Sequence, residues 1–280
     1  MLQKPSVTGF TLIELITVII VLGVVSVGIS GFIRTGVEIY NDVTERDQLL
    51  GESRFLVERL TRELRMAVPN SVRVRKRNSG TTHCIEFVPS EWVSFYTSLS
   101  VKPDTSKSAN VIAWGDNPAG YIWKTGDFAI VYPTKTDEVY DLSLIKRIAT
   151  TACSDDGANN GCSTPDSSNG TLQLTLDADF DDHSPASRLY IARKAVSYCA
   201  NTEGQIYRVE DSINTRQSIY RSGTLMAENL SNDLTEVNEA PFKVYDATLT
   251  RNSLVHLLLA FERNEEIINY THEVHFPNVP

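Results

Sequence analysis

The sequence predicts an α+β protein: a long N-terminal helix, transmembrane in its first part and a stalk in its second, packed on a mainly antiparallel β domain. Three observations carry this. Phe10 to Ile33 is apolar apart from small polar residues and one carboxylate, Glu14. Apolar residues then recur at three- and four-residue steps as far as Ala67, the period of an amphipathic helix. From Asn70 onward the chain breaks into short runs rich in β-branched and aromatic side chains, separated by Gly, Pro, Asn and Asp clusters.

The first stretch is long enough to cross a bilayer, whose hydrocarbon core of about 30 Å needs about 20 apolar helical residues. Gly23, Gly28 and Gly31 lower its helix propensity without breaking it. Glu14 is the anomaly, because a carboxylate inside a membrane helix costs about 2.5–3.5 kcal/mol on insertion scales and calls for a partner. It is therefore a candidate functional residue.

In the stalk, Val37, Tyr40, Val43, Leu50, Val57, Leu60, Leu64 and Val68 mark one face, widened by Leu49, Phe55 and Leu56. Glu45, Arg46, Glu52, Arg54, Glu58, Arg59, Arg62 and Glu63 fill the other. Arg54 with Glu58 and Glu58 with Arg62 stand four apart, where each pair contributes a few tenths of a kcal/mol. Pro69 stops the helix, and Gly36 and Gly51 are expected bends. At about 1.5 Å per residue the whole element is about 85 Å long.

Candidate strands follow at His83–Val88, Val111–Trp114, Asp127–Tyr132, Val139–Ala149, Thr171–Leu176, Arg188–Cys199, Gln205–Val209, Phe242–Thr250, Leu254–Phe261 and Ile267–Phe276. Met226–Leu230 reads as one or two helical turns. Ser98–Ser108 and Ser154–Gly170, rich in Ser, Asn, Asp and Gly, read as exposed loops. There is no linker long enough to separate two soluble domains.

The 280 residues are 41% hydrophobic and 22% charged, enough for a sizeable core beyond the apolar helix. A net charge of -9 argues against a nucleic-acid partner, which needs a basic surface to release phosphate counterions. Arg73-Val74-Arg75-Lys76-Arg77 is the one basic run, readable as a DNA- or lipid-contacting patch but more simply as a solvated edge strand or turn. Four cysteines, Cys84, Cys153, Cys162 and Cys199, form an even set, which in an oxidising compartment implies disulfides. Three pairings are open. Cys153 and Cys162 bracket a turn-rich segment that closes easily, which leaves Cys84 with Cys199.

Enzyme signatures are absent: no G-x-S-x-G, Walker A or G-x-G-x-x-G occurs. His272 and His275 are three apart, whereas a zincin needs four on a helix. Asp177, Asp179 and Asp181 alternate like the start of a calcium loop, but Asp182 and Arg188 occupy the positions that require Gly and Glu, so a solvated acidic loop is expected. Asp155-Asp156-Gly157 carries the same ambiguity. Trp92, Phe95 and Tyr96, or Trp114, Tyr121 and Trp123, are core or a carbohydrate or partner surface. The expectation is a protein without enzymatic activity, cofactor or metal.

Lys4 precedes Gly9-Phe10-Thr11-Leu12-Ile13-Glu14, and an apolar helix follows. This arrangement resembles the class III signal of type IV prepilins and type II secretion pseudopilins. The resemblance implies cleavage by a prepilin peptidase between Gly9 and Phe10, N-methylation of Phe10, and an assembly role for Glu14. It also implies a type IV pilin-like fold: a leader over 1–9, a transmembrane helix over 10–33, a soluble half-helix over 34–69 and a periplasmic or pilus β domain over 70–280. Gly204-Gln205-Ile206-Tyr207-Arg208-Val209, Ile219-Tyr220-Arg221 with Leu225 to Leu230, and the closing Glu273 to Pro280 are most similar to large minor pilins of the PilW and pseudopilin J type, those of mannose-sensitive haemagglutinin pili among them. The implied partners are the peptidase, other minor pilins, a major pilin, the inner-membrane assembly platform and the lipid bilayer. The implied location is the inner membrane, then the pilus, at or near the tip. A type II secretion pseudopilin shares the same motif, and a membrane-anchored binding protein or enzyme shares the anchor.

Overall fold

The computed structural model of the protein describes residues 9–77, 80–113, 120–155, 162–164, 170–245 and 253–275. Helix α1, Leu12–Arg65, is one unbroken element that passes through Gly36 and Gly51, where bends were expected. Tight turns from Met66 N to Glu63 O and from Ala67 N to Leu64 O end it just before Pro69. The chain forms two units, Met1–Leu50 and Gly51–Pro280. In the first, α1 exposes its apolar side chains along a window of mean hydropathy 2.7, long and apolar enough to cross a membrane. One such helix near the N-terminus is compatible with a single-pass membrane anchor. In the second unit Ser53, Leu56, Leu60 and Leu64 are buried at three- and four-residue spacing, so this part of α1 contributes one stripe to a core. Phe55 is on the solvent side, under the Arg59 guanidinium.

The β domain continues with β1 Arg73–Lys76, β2 Thr82–Phe87, β3 Ser90–Leu99, β4 Ser108–Ile112, β5 Phe128–Ile130, α2 Thr136–Tyr140, a 3₁₀ turn at Leu142–Leu144, β6 Arg147–Ser154, β7 Thr171–Leu176 and β8 Arg188–Ala192. It closes with β9 Ala195–Asn201, β10 Ile206–Asp211, β11 Thr224–Ala227, β12 Phe242–Tyr245, β13 Leu254–Arg263 and β14 Glu266–His275. Every ladder between these strands is antiparallel. They make a five-stranded sheet β1-β2-β9-β10-β11, a three-stranded sheet β12-β13-β14, and a closed barrel β3-β4-β7-β6-β5-β8. The barrel fills with Trp92, Tyr96, Leu172, Leu174, Leu176, Leu189 and Ile191 from β3, β7 and β8, together with Phe180 beyond the end of β7.

Strands β2 and β9 are neighbours in the five-stranded sheet, yet every strand between them in sequence belongs to the barrel. The chain leaves the sheet at Phe87 and returns at Ala195, and Ser90 faces Ala192 across the barrel's own first and last strands. The barrel is thus an insertion hung from a two-strand neck.

Four sequence expectations need correction. Val139–Ala149 is not one strand: Val139 and Tyr140 close α2, Ile145 has φ 52, and only Arg147 onward is β6. Arg188–Cys199 is two strands in different sheets, broken at Arg193-Lys194. Met226–Leu230 is not helical, because Thr224–Ala227 pairs with β10 and Leu230 bridges to Phe261. Ser98–Ser108 is only partly a loop, since Ser98 and Leu99 end β3, Ser108 starts β4 and Ser100 is buried. Strand β3, with Trp92, Ser94 and Tyr96 inward and Val93 and Phe95 outward, has the alternation the sequence reading passed over. Residues 1–8, Trp114, most of 154–170, 246–250 and Phe276 to Pro280, on which other expectations fall, lie outside the described residues.

Candidate functional site

The residues singled out first, Gly9, Phe10 and Glu14, lie at the start of α1. Gly9 and Phe10 precede the helix, and Phe10 is 83% exposed. Around Gly9 there is no heavy atom within 4 Å of where a Cβ would stand. Thr11 is the residue from which the helix starts: its carbonyl accepts the first intrahelical bond, from Leu15 N at 3.3 Å. Its hydroxyl accepts from Glu14 N–H at 3.4 Å. In return the Glu14 carboxylate accepts from Thr11 N–H at 3.2 Å and from the Thr11 hydroxyl at 3.1 Å. This is a reciprocal capping box, Thr-x-x-Glu. Sequence reading fixed on Glu14 and missed Thr11, although the three-residue spacing of a capping box was there to find it. The cap supplies a local reason for an acid at this position, since the first turn also presents the positive end of the helix dipole. Farther along, Thr17 donates to Glu14 O at 3.0 Å and Ser30 to Ser26 O at 2.8 Å. Such back-bonds satisfy hydroxyls on an otherwise apolar surface.

In the β domain the cysteines form two pairs. Cys84 and Cys199 stand opposite one another in the β2-β9 register, their Cα atoms 4.1 Å apart. The Cα atoms of Cys153 and Cys162 are 5.5 Å apart. Both pairs are at disulfide distance. The first ties the neck from which the barrel hangs, and the second closes a short segment at the end of β6.

The basic run is an edge strand, β1, but not a solvated one. Arg73 donates through Nε to Glu86 at 2.8 Å and through its terminal nitrogens to the carbonyls of Thr215 and Asn214, with its guanidinium 3.4 Å from the Tyr140 ring centre. Arg75 donates to the Gln217 carbonyl and Lys76 to that of Thr235. Burial raises the Glu86 carboxyl above its usual range, against the pull of Arg73. These cations are spent on the β10–β12 connections of the same chain.

The aspartates do not converge. Asp179 is buried, where it accepts from the Ser100 hydroxyl and from Lys107 N–H, so the expectation of a solvated loop fails at that position. Asp181 pairs with Lys102 at 2.9 Å and Asp182 with Lys146 at 2.6 Å. His272 and His275 lie on opposite faces of β14, and His275 is 3.7 Å from Glu273. Trp92 stacks on Tyr121 at 4.9 Å inside the barrel, and Trp123 donates to the Thr150 hydroxyl at 2.9 Å. Of the aromatic residues named as a surface, Phe95 is the exposed one among those described.

The deepest polar constellation escaped sequence reading. Asp127, with no exposed surface, accepts from Arg193 Nε at 2.6 Å, Arg193 Nη2 at 3.1 Å, the Tyr121 hydroxyl at 2.7 Å and Lys124 N–H at 3.1 Å. Burial and the adjacent carboxylate push the Tyr121 hydroxyl far above its ordinary range, so it remains the donor. Arg193 is the corner residue between β8 and β9. The cluster therefore fixes the point at which the chain turns from barrel to sheet. No protein-family model, curated protein or solved structure matches this chain.

Proposed function

We propose that the chain is a minor pilin: a structural and assembly subunit of a type IV pilus, cut between Gly9 and Phe10 by a prepilin peptidase and N-methylated on Phe10. The observation that carries the reading is the conjunction of Gly9, Phe10 and Glu14 at the head of an exposed apolar helix. The cleaved subunit waits in the inner membrane with its β domain in the periplasm. It then joins other minor pilins and a major pilin at or near the filament tip. Cleavage leaves an amine on Phe10 and a carboxylate on Glu14 in or near hydrocarbon, where each alone is costly. In the isolated subunit the Thr11 cap partly satisfies Glu14. In the filament the Phe10 amine of an incoming subunit beside Glu14 of one already in place offsets the cost and sets axial register.

Intact-mass measurement of the mature protein tests the processing. The expected mass lacks Met1 to Gly9, gains one methyl group and lacks four thiol hydrogens. Gly9→Val is expected to abolish cleavage, because a β-branched side chain obstructs approach to the scissile carbonyl. A Val variant that still yields a chain beginning at Phe10 rejects the reading.

A further inference from the structure

The end of the β domain carries an open edge. Strand β14 pairs with β13 over ten residues, Leu254↔His275 to Arg263↔Glu266, without a bulge, and has no second strand neighbour among the described residues. The hydrogen-bond phase of this sheet follows from β13. Its even-numbered groups face the other way: Leu258 N–H donates to Pro241 O, Ala260 N–H to Asn232 Oδ1 and Glu262 N–H to Asn229 O, while Ala260 O accepts from Ser231 N–H. The odd-numbered groups of β13 therefore serve β14, meeting Ile268, Tyr270, His272 and Val274. On β14 the peptide groups of Ile267, Asn269, Thr271 and Glu273 are left aimed at the open edge. The same four side chains are exposed, and Ile267 is 55% exposed.

Three of the devices that guard natural edges are missing here. Ile267 to His275 contains no Lys, no Pro and no bulge, and it is rich in β-branched residues. The other face of β14 forms a half-buried ledge of Ile268, Tyr270 and His272, with the Ser53 hydroxyl of α1 donating to the Tyr270 hydroxyl at 3.0 Å. On the exposed face the charges beside the edge include two acids, Glu273 on β14 and Glu262 on β13 opposite Ile267.

We propose that the β14 edge is a strand-addition site for an extended segment of a different polypeptide. That segment alternates apolar and polar residues and carries Lys or Arg near its ends. Main-chain bonds to Ile267, Asn269, Thr271 and Glu273 supply affinity, and alternate side chains meeting the ledge supply register. The cations meet Glu262 and Glu273. A second copy of this chain fits less well. Antiparallel self-pairing sets the edge against Ile267 to His275 of the second copy, a run with no Lys or Arg to meet Glu262 and Glu273. Parallel self-pairing puts the ledge of one copy beside the solvent face of the other. The inference rests on the β domain and does not depend on the processing of Phe10.

The test uses the full chain in detergent and a synthetic peptide, Lys-Thr-Val-Thr-Val-Thr-Val-Thr-Lys, with a Glu-ended version as control. The Lys peptide is expected to bind and to slow amide exchange at Ile267, Asn269, Thr271 and Glu273. Thr271→Pro removes one edge-facing N–H and is expected to weaken binding at least roughly tenfold. Glu262→Lys with Glu273→Lys, whose side chains are exposed and whose peptide groups stay in the β13-β14 ladder, is expected to reverse the preference towards the Glu peptide. Equal binding of the two peptides by the native chain, or protection elsewhere than these amides, overturns the proposal. So does a disulfide-linked homodimer of Thr271→Cys as the main product, which would make the second copy the occupant.

Discussion

Asp127 and His83 are two buried ionisable residues handled in opposite ways. Asp127 is surrounded by four donated hydrogen bonds, two of them from Arg193. Asp127→Asn is expected to lower stability by about 3 kcal/mol, because it takes the close carboxylate from a guanidinium that is largely out of solvent and leaves it the longer, 3.4 Å contact to Glu91, and urea unfolding in detergent measures this. His83 instead gives up its charge: burial, with Lys76 nearby, lowers its pKa to about 4, and it stacks on Phe242 at 5.9 Å. A histidine bound neutral in the fold and titrating near 6.5 when unfolded contributes stability that is complete above pH 6.5 and lost as pH falls towards 4. The loss at pH 5 is about 2 kcal/mol. His83→Phe is expected to flatten that part of the profile, read as the urea midpoint at pH 7.5 and pH 5. Glu14→Val is expected to leave insertion, cleavage and the β domain intact while reducing incorporation into pili roughly tenfold relative to membrane abundance. Quantitative mass spectrometry of sheared pili against membranes checks it, and unchanged incorporation removes the register role. Glu14 was legible in the sequence because an acid in an apolar run has no camouflage. Asp127 was not, because its main partner, Arg193, stands 66 residues away and nothing local marks the pair.

At the scale of elements, periodicity located what it physically can. The four-residue spacing of Leu56, Leu60 and Leu64 and the alternation of Leu172, Leu174 and Leu176 reappear as buried rows. Periodicity cannot report which sheet a strand joins. Arg188 to Cys199 reads as one apolar run, yet it serves barrel and sheet in turn, with the Arg193 corner held by a residue from before β5. A backbone need is similarly silent at Gly204, in the turn between β9 and β10. Its φ is 74, and a Cβ there would stand 2.8 Å from Leu230 O. Gly204→Ala is expected to cost roughly 2 kcal/mol, through the left-handed backbone and that contact together. Thermal unfolding of the variant checks the figure.

For the molecule as a whole, an α+β architecture was readable from the switch between a helical and a strand period, but the inserted barrel was not. Local runs look the same whether a chain proceeds from neighbour to neighbour or detours through a closed barrel. The two cysteine pairs separate these levels. Cys84 and Cys199 span a sequence separation of 115, Cys153 and Cys162 one of 9. In the chain-entropy picture the long closure stabilises by about 5 kcal/mol and the short one by about 2–3. Replacing Cys84 and Cys199 by Ala is therefore expected to lower the melting temperature further than replacing Cys153 and Cys162. Non-reducing peptide maps verify the links. The neck has a mechanical consequence as well. When tension is applied between the helix and the C-terminal strands, the covalent link between Cys84 and Cys199 carries it directly across. The barrel's polypeptide, about 400 Å if drawn out, is kept out of the load path. A pulled chain with this link intact cannot lengthen by unravelling its largest part.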